Sequence, residues 1–205
     1  MARPQSVQDQ DVMERLSCVF RDVGYDGASL AILSEATGLK KASLYHRFPG
    51  GKQQMAEEVL AAALSWYHEN VLEPLRGDGP PAERIACVAR QLDSFYSSGR
   101  QACLLNMLAS PRAETSPFSA AIKGAFEALI AAFTAVAHDA GHVPDLARSK
   151  AERTVMLLHG SLVMSRGLGS GEPFQAFLAG LAHDLIADTT APTTSNKPKE
   201  HKQHD

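Results

Sequence analysis

Apolar residues return at helical spacing in every long segment of this 205-residue chain, and Gly or Pro punctuates the segments. Such a pattern confines the chain to helix packed on helix. No run alternates with the period of a strand, and Ala and Leu, both strong helix formers, are abundant. Residues 7–23 place Val12, Leu16, Val19, Phe20 and Val23 on one face, with Gly24 positioned to end the helix and residues 24–27 to turn. Short helices are predicted over 30–36 and 40–47. A long one follows from 52 to 75, apolar nearly all round (Met55, Val59, Leu60, Ala63, Leu64, Trp66, Val71), as a central helix is. Helix 82–98 carries Ile85, Val88, Leu92 and Phe95 on a stripe, with Arg84, Arg90, Gln91 and Asp93 opposite. A short apolar piece (102–109), a polar loop (110–116) and helices over 117–140, 145–167 and 173–188 complete the reading. From residue 189 the composition turns to Thr, Pro, Lys and His without periodicity, which predicts a disordered tail.

Residues 29–48 read SLAILSEATGLKKASLYHRF. Leu30, Leu33 and Ala36 have core spacing on a first short helix, which Ser29 can cap. Gly38 supplies a left-handed turn that a Cβ would penalise. Leu44 and Phe48 then anchor a second short helix, leaving Lys40, Lys41, Ala42, Ser43, Tyr45 and His46 outside. A helix that reads DNA needs this division, an apolar side to fix its angle and small or polar residues to meet base edges. Lys40, Lys41 and Ser43 suit bases or phosphates, and Ala42 permits close approach to a thymine methyl. Ser29, Tyr45, His46 and Lys52 suit phosphates. By spacing alone the same residues also describe an ordinary helical hairpin with a charged face.

Charge distribution favours the first of these. The formal net charge is −3, but residues 1–52 hold seven Lys/Arg against six Asp/Glu, and the remainder thirteen against seventeen. Lys40, Lys41, Arg47 and Lys52 fall in a stretch without an acid, so a local basic surface sits on an acidic body. The three cysteines (Cys18, Cys87, Cys103) lack CxxC spacing, which predicts neither a disulfide framework nor a zinc site and fits a reducing cytoplasm. No apolar run is expected to reach the roughly 18 residues of a membrane span. His138 and His142 have metal-ligand spacing, but Gly141 falls between them, and the glycines at 167, 169 and 171 follow no strand. No P-loop or nucleophile elbow is present, and no cofactor is expected.

The stretch VFRDVGYDGASLAILSEATGLKKASLYHRFPGGKQQMAEEVL resembles the DNA-binding domain of the TetR/AcrR family. The resemblance is carried by Phe20, Gly24-Tyr25, Ser29-Leu30, Gly38-Leu39, Ser43-Leu44-Tyr45, Phe48 and Lys52. The run Phe48-Pro49-Gly50-Gly51-Lys52 is similar to a subgroup related to LmrA and YxaF. It implies an all-α, two-domain homodimer, with a helix-turn-helix domain over 1–51 and a helical ligand-binding and dimerisation domain over 52–188. The implied function is a cytoplasmic, ligand-responsive repressor on a pseudo-palindromic double-stranded DNA operator, released or engaged by a small hydrophobic effector. Lys40-Lys41-Ala42 departs from the smaller, more polar start usual in that helix. The other reading is a helical small-molecule-binding protein or enzyme that has lost DNA binding.

The resemblance also implies a ligand pocket, for which Trp66, Phe95, Tyr96, Cys103, Asn106, Met107, Phe126, Met156 and His159 supply apolar walls with few polar groups. The stretch from Arg100 to Leu105 resembles the segment before the sixth helix of the subgroup, which favours Cys103 and Asn106. Helical spacing alone equally makes all nine core residues. Phe174, Phe177, Leu178, Leu181 and Leu185 form a stripe beside small residues, with Gly160 on the preceding helix. That arrangement fits either a four-helix dimer interface or intrachain core.

Overall fold

The computed structural model describes residues 5–110 and 116–187, and among these it contains ten α-helices, one π-helical turn and no strand. The helices are α1 (Gln5–Gly27), α2 (Leu30–Thr37), α3 (Lys41–Arg47), α4 (Gly51–Tyr67), α5 (Glu73–Arg76), α6 (Pro81–Phe95), α7 (Leu104–Leu108), α8 (Ser119–Asp139), α9 (Pro144–Leu168) and α10 (Glu172–Ile186). The expected tail and most of the 110–116 loop lie outside the described residues. One continuous apolar core runs from Leu16, Phe20, Leu33, Leu44 and Phe48 at one end to Leu158, Leu181 and Leu185 at the other.

The helix expected to stop at Gly24 instead bends there. Gly24 has φ 71° and ψ −178°, a conformation open to glycine, and the Ala28 N–H then donates to the Gly24 carbonyl at 3.2 Å to form one more turn. Past the middle of α1 the buried side is that of Arg21 and Gly24, so Val23, expected in the apolar stripe, is exposed. The 52–75 helix is continuous but widens into a π turn over His68–Leu72, which joins α4 to α5 and turns Val71, Leu72 and Leu75 into the core. It is not buried all round, because Ala61, Ala62, Ser65 and His68 face solvent.

Arg84, expected on the solvent side of α6, is buried. Its Nη1 donates to the Leu75 carbonyl at 2.8 Å, closing the end of α5, and its Nη2 meets Asp139 Oδ2 at 2.7 Å on α8. A cation is favourable at a helix C-terminus, and the carboxylate compensates its burial. Lys150 does the same for α10, donating to the carbonyls of Asp184 and Ala187 at 2.9 and 3.1 Å. Contrary to the expectation from sequence, α8 is long and apolar enough to cross a membrane. Here Leu129, Phe133 and Val136 are buried against the bundle, and α8 packs along α9 and against α5.

Candidate nucleic-acid interface

The turn between α2 and α3 is braced from several directions. Ser29 caps α2, its Oγ accepting the Ile32 N–H at 3.3 Å. Gly38 ends α2 with φ 69°, and its N–H donates to the Glu35 carbonyl. The Thr37 hydroxyl donates to the Leu33 carbonyl at 2.7 Å, and Ser34 Oγ donates across the turn to the Leu39 carbonyl at 2.6 Å. Arg15 of α1 adds a bond to the Ala36 carbonyl at 3.3 Å. With Leu33, Leu44 and Phe48 fully buried, α3 is held at a fixed angle by packing and turn chemistry together.

The outward face of α3 is as the sequence suggests. Lys40 stands as the extended N-cap, one residue outside the helix, and Lys40, Lys41, Ala42, Ser43, Tyr45 and His46 are all exposed. Ser29 is exposed at the start of α2. Lys52 is different. Its Nζ donates to the Tyr25 carbonyl at 2.9 Å and lies 4.3 Å from the Tyr25 ring centre, so it ties α4 to the end of α1 instead of reaching outward. Burial, with Asp26 and Glu57 adding to it, raises the Tyr25 pKa.

The nine expected pocket residues separate into distinct places. Trp66, Phe95, Tyr96 and Cys103 come together: Phe95 stacks on Trp66 at 4.0 Å, Tyr96 meets Phe95 edge-on at 5.0 Å, and the Tyr96 hydroxyl donates to Cys103 Sγ at 3.4 Å. Tyr67 joins them through a hydroxyl–hydroxyl bond to Tyr96, and burial raises both phenol pKa values above the usual range. The space left beside them is about 10 Å³, room for one water at most, so the cluster is closed. Asn106 and Met107 line a separate cleft of about 400 Å³ against Val23, Gly24, Tyr25 and Phe118. Phe126 and His159 meet edge-on at 4.8 Å between α8 and α9. Met156 does not belong to any pocket wall of the interior: it is 66% exposed on the outer side of α9.

The stripe on α10 also divides. Phe174, Leu181 and Leu185 are buried within the single chain, because α10 lies against both α9 and α6, so they are intrachain core. Phe177 and Leu178 are half-buried and Gly160 is exposed. Large apolar side chains do reach solvent on α9, where Met156, Leu157, Val163, Met164 and Leu168 are exposed; a groove of about 350 Å³ there is lined by Met156, Leu157, Gly160, Met164 and Phe177. Their spacing along residues 156–168 was the available signal in the sequence, but the same spacing describes core. Sequence reasoning also passed over Arg21, which is 4% exposed and buried among aromatic rings.

Comparison with known proteins places these features. Residues 18–59 match the family model described as bacterial regulatory proteins, tetR family. Residues 81–179 match the model for the C-terminal domain of LmrA/YxaF-like transcriptional regulators. The HTH-type transcriptional regulator LmrA of Bacillus subtilis is 27% identical over 88 residues, 43% of this chain and 47% of LmrA, so the match spans about half of that relative. A TetR-family regulator from Agrobacterium tumefaciens is similar in fold, with TM-score 0.72 and 21% identity over 90% of this chain and 100% of its own. A TetR regulator from Legionella pneumophila gives TM-score 0.71 and 21% identity over 90% and 96%. A cysteine mutant of the TetR-family regulator CifR, solved with a 26-base-pair operator duplex, gives TM-score 0.68 and 24% identity over 91% and 99%.

Proposed function

From the premise that the chain belongs to the TetR family of bacterial regulatory proteins, with an LmrA/YxaF-like C-terminal domain, we propose that it is a ligand-responsive transcriptional repressor acting as a homodimer on a pseudo-palindromic operator. The observation that carries this reading is the exposed face of α3, with Lys40, Lys41, Ala42, Ser43, Tyr45 and His46 over a cross-braced turn. Such a face enters a major groove, with its N-terminal residues toward base edges and the remainder, with Ser29, toward phosphates. In this division α1–α3 form the DNA-binding unit, and α4–α10 carry the effector and the second copy.

The exposed apolar side of α9, with Phe177 of α10, supports a homodimer. A self-complementary patch of Met, Leu and Val beside Gly160 lets two helix pairs approach closely. An effector acts by favouring one separation of the two DNA-binding heads over another, since only a difference in affinity between states shifts a population. The groups placed to receive it are the closed Trp66–Phe95–Tyr96–Cys103 cluster, which must open to admit a ligand, and His159 beside Phe126, neither of whose ring nitrogens has a hydrogen-bond partner among the described residues.

The test is DNA selection in vitro with the full chain, followed by gel shift at moderate salt. The expected outcome is retardation of a palindromic duplex by a dimer, competed by the same duplex and not by scrambled DNA. A folded dimer that retards every duplex equally, or none, refutes the reading.

A further inference from the structure

Two arginines cross between the DNA-binding helices and the remainder of the chain, in opposite directions, and they bear on adjacent residues of α1. Arg21 leaves α1 and enters the C-terminal helices. Its Nη1 donates to the Ala102 carbonyl at 2.5 Å, and its guanidinium lies over the Phe95 ring at 4.7 Å and 5.9 Å from that of Tyr96. Among the described residues no carboxylate pairs with it, so these contacts hold the buried cation. Arg166 comes the other way from α9, donating to the Asp22 carbonyl at 3.3 Å and to Met107 Sδ. Gly24 follows directly, and a Cβ there would stand 3.1 Å from the Met107 carbonyl oxygen. The end of α1 is therefore gripped from both sides, close to the bend that leads into α2 and α3.

We infer that Arg21 and Arg166 are positioning residues that fix the separation of the two DNA-binding heads in the dimer, and so select the spacing between operator half-sites. The inference rests on the dimeric operator reading above. Its physical basis is that Arg166 belongs to α9, the helix that carries the exposed apolar patch at Met156, Leu157, Val163 and Met164. One rigid helix thus bears both the surface for the second copy and the tether to α1. A guanidinium is a planar fork whose bonds to carbonyls are directional, so it resists pivoting where a purely apolar contact would slide. Neither arginine lies on the α3 face, so a single half-site is read equally well without them.

The experiment uses the full chain and a palindrome selected in vitro, with the spacer between half-sites shortened or lengthened by one or two base pairs. The parent protein is expected to prefer one spacing by roughly tenfold, because two heads must meet successive grooves together. Arg166→Ala is expected to keep the dimer, the melting temperature and the affinity for a duplex bearing one half-site, while its spacing preference falls by about threefold or more. Arg21→Met is expected to flatten the profile further, with half-site affinity per folded molecule unchanged. Parent-like spacing profiles in both variants overturn the inference. So does an Arg166→Ala protein that melts earlier yet keeps its spacing preference, the result a merely stabilising contact gives. A parent protein that binds palindromes without any preferred spacing refutes the dimeric operator reading itself and removes this inference with it.

Discussion

Replacing His159 with Phe is expected to raise stability at neutral pH and to remove much of the protein's sensitivity to mild acid. His159 is 9% exposed in α9, its ring meets Phe126 edge-on, and both ring nitrogens lack a partner among the described residues. Burial lowers its pKa from 6.5 to about 4. The folded chain therefore keeps a neutral imidazole where the unfolded chain takes up a proton. Stability present above pH 6.5 is lost as pH falls through the window down to about 4. With those two values the loss at pH 5 relative to neutral is about 2 kcal/mol. The phenyl ring keeps the contact with Phe126 and removes two unsatisfied polar atoms, a gain of about 1–2 kcal/mol at neutral pH. Denaturant unfolding at fixed protein concentration, followed through Trp66, the single tryptophan, measures both effects. If His159→Phe loses as much stability between about pH 7 and about pH 5 as the parent does, the proton is taken up elsewhere and the reasoning fails.

Lys41→Ala is expected to weaken operator binding and to reduce the slope of log affinity against log salt by about one if the ammonium meets a phosphate, as read by fluorescence anisotropy. Tyr45→Phe should weaken binding less, and alike across sequences. Lys52→Ala should leave the salt slope unchanged and lower stability by about 1 kcal/mol, because its ammonium is held by the Tyr25 carbonyl and ring. Met164→Glu should give a folded monomer by light scattering, since the side chain is 57% exposed within one chain and its charge would be buried between two. Arg84→Ala should destabilise by about 2 kcal/mol in chemical unfolding: it leaves the Leu75 carbonyl unpaired, while the half-exposed Asp139 can be rehydrated.

Local chemistry made much of the fold legible. Gly38 had to turn left-handed and Ser29 had to cap, and the structure shows both, because each depends on a few neighbouring backbone atoms. The outward face of α3 was equally readable, since within this seven-residue helix Leu44 is the buried residue and the others lie outside or half outside. The bond of Lys52 to the Tyr25 carbonyl was not legible, because nothing in its own stretch reveals that this carbonyl, 27 residues away, lies within reach. Arg84 failed for the same reason: a cation opposite an apolar stripe looks solvated until the end of α5 and Asp139 arrive beside it. On α9 and α10 the error ran both ways. Phe174, Leu181 and Leu185 are covered by the chain itself, whereas Met156 faces outward, and helical period alone cannot say which of two apolar faces a second helix will cover.

The sequence by itself determined the all-α class, the places of the helices to within a few residues, and the helix-turn-helix with its exposed basic face. Each of these follows from period, capping and turn residues, whose energetics act over a handful of positions. Only the tertiary structure decided which cations are buried, that Trp66, Phe95, Tyr96 and Cys103 close on one another, and that Arg21 and Arg166 grip α1 from opposite sides. Those outcomes depend on groups distant in the chain arriving within a few ångströms. A hydrogen bond or ring contact formed across that distance leaves no periodic trace in either partner's own segment.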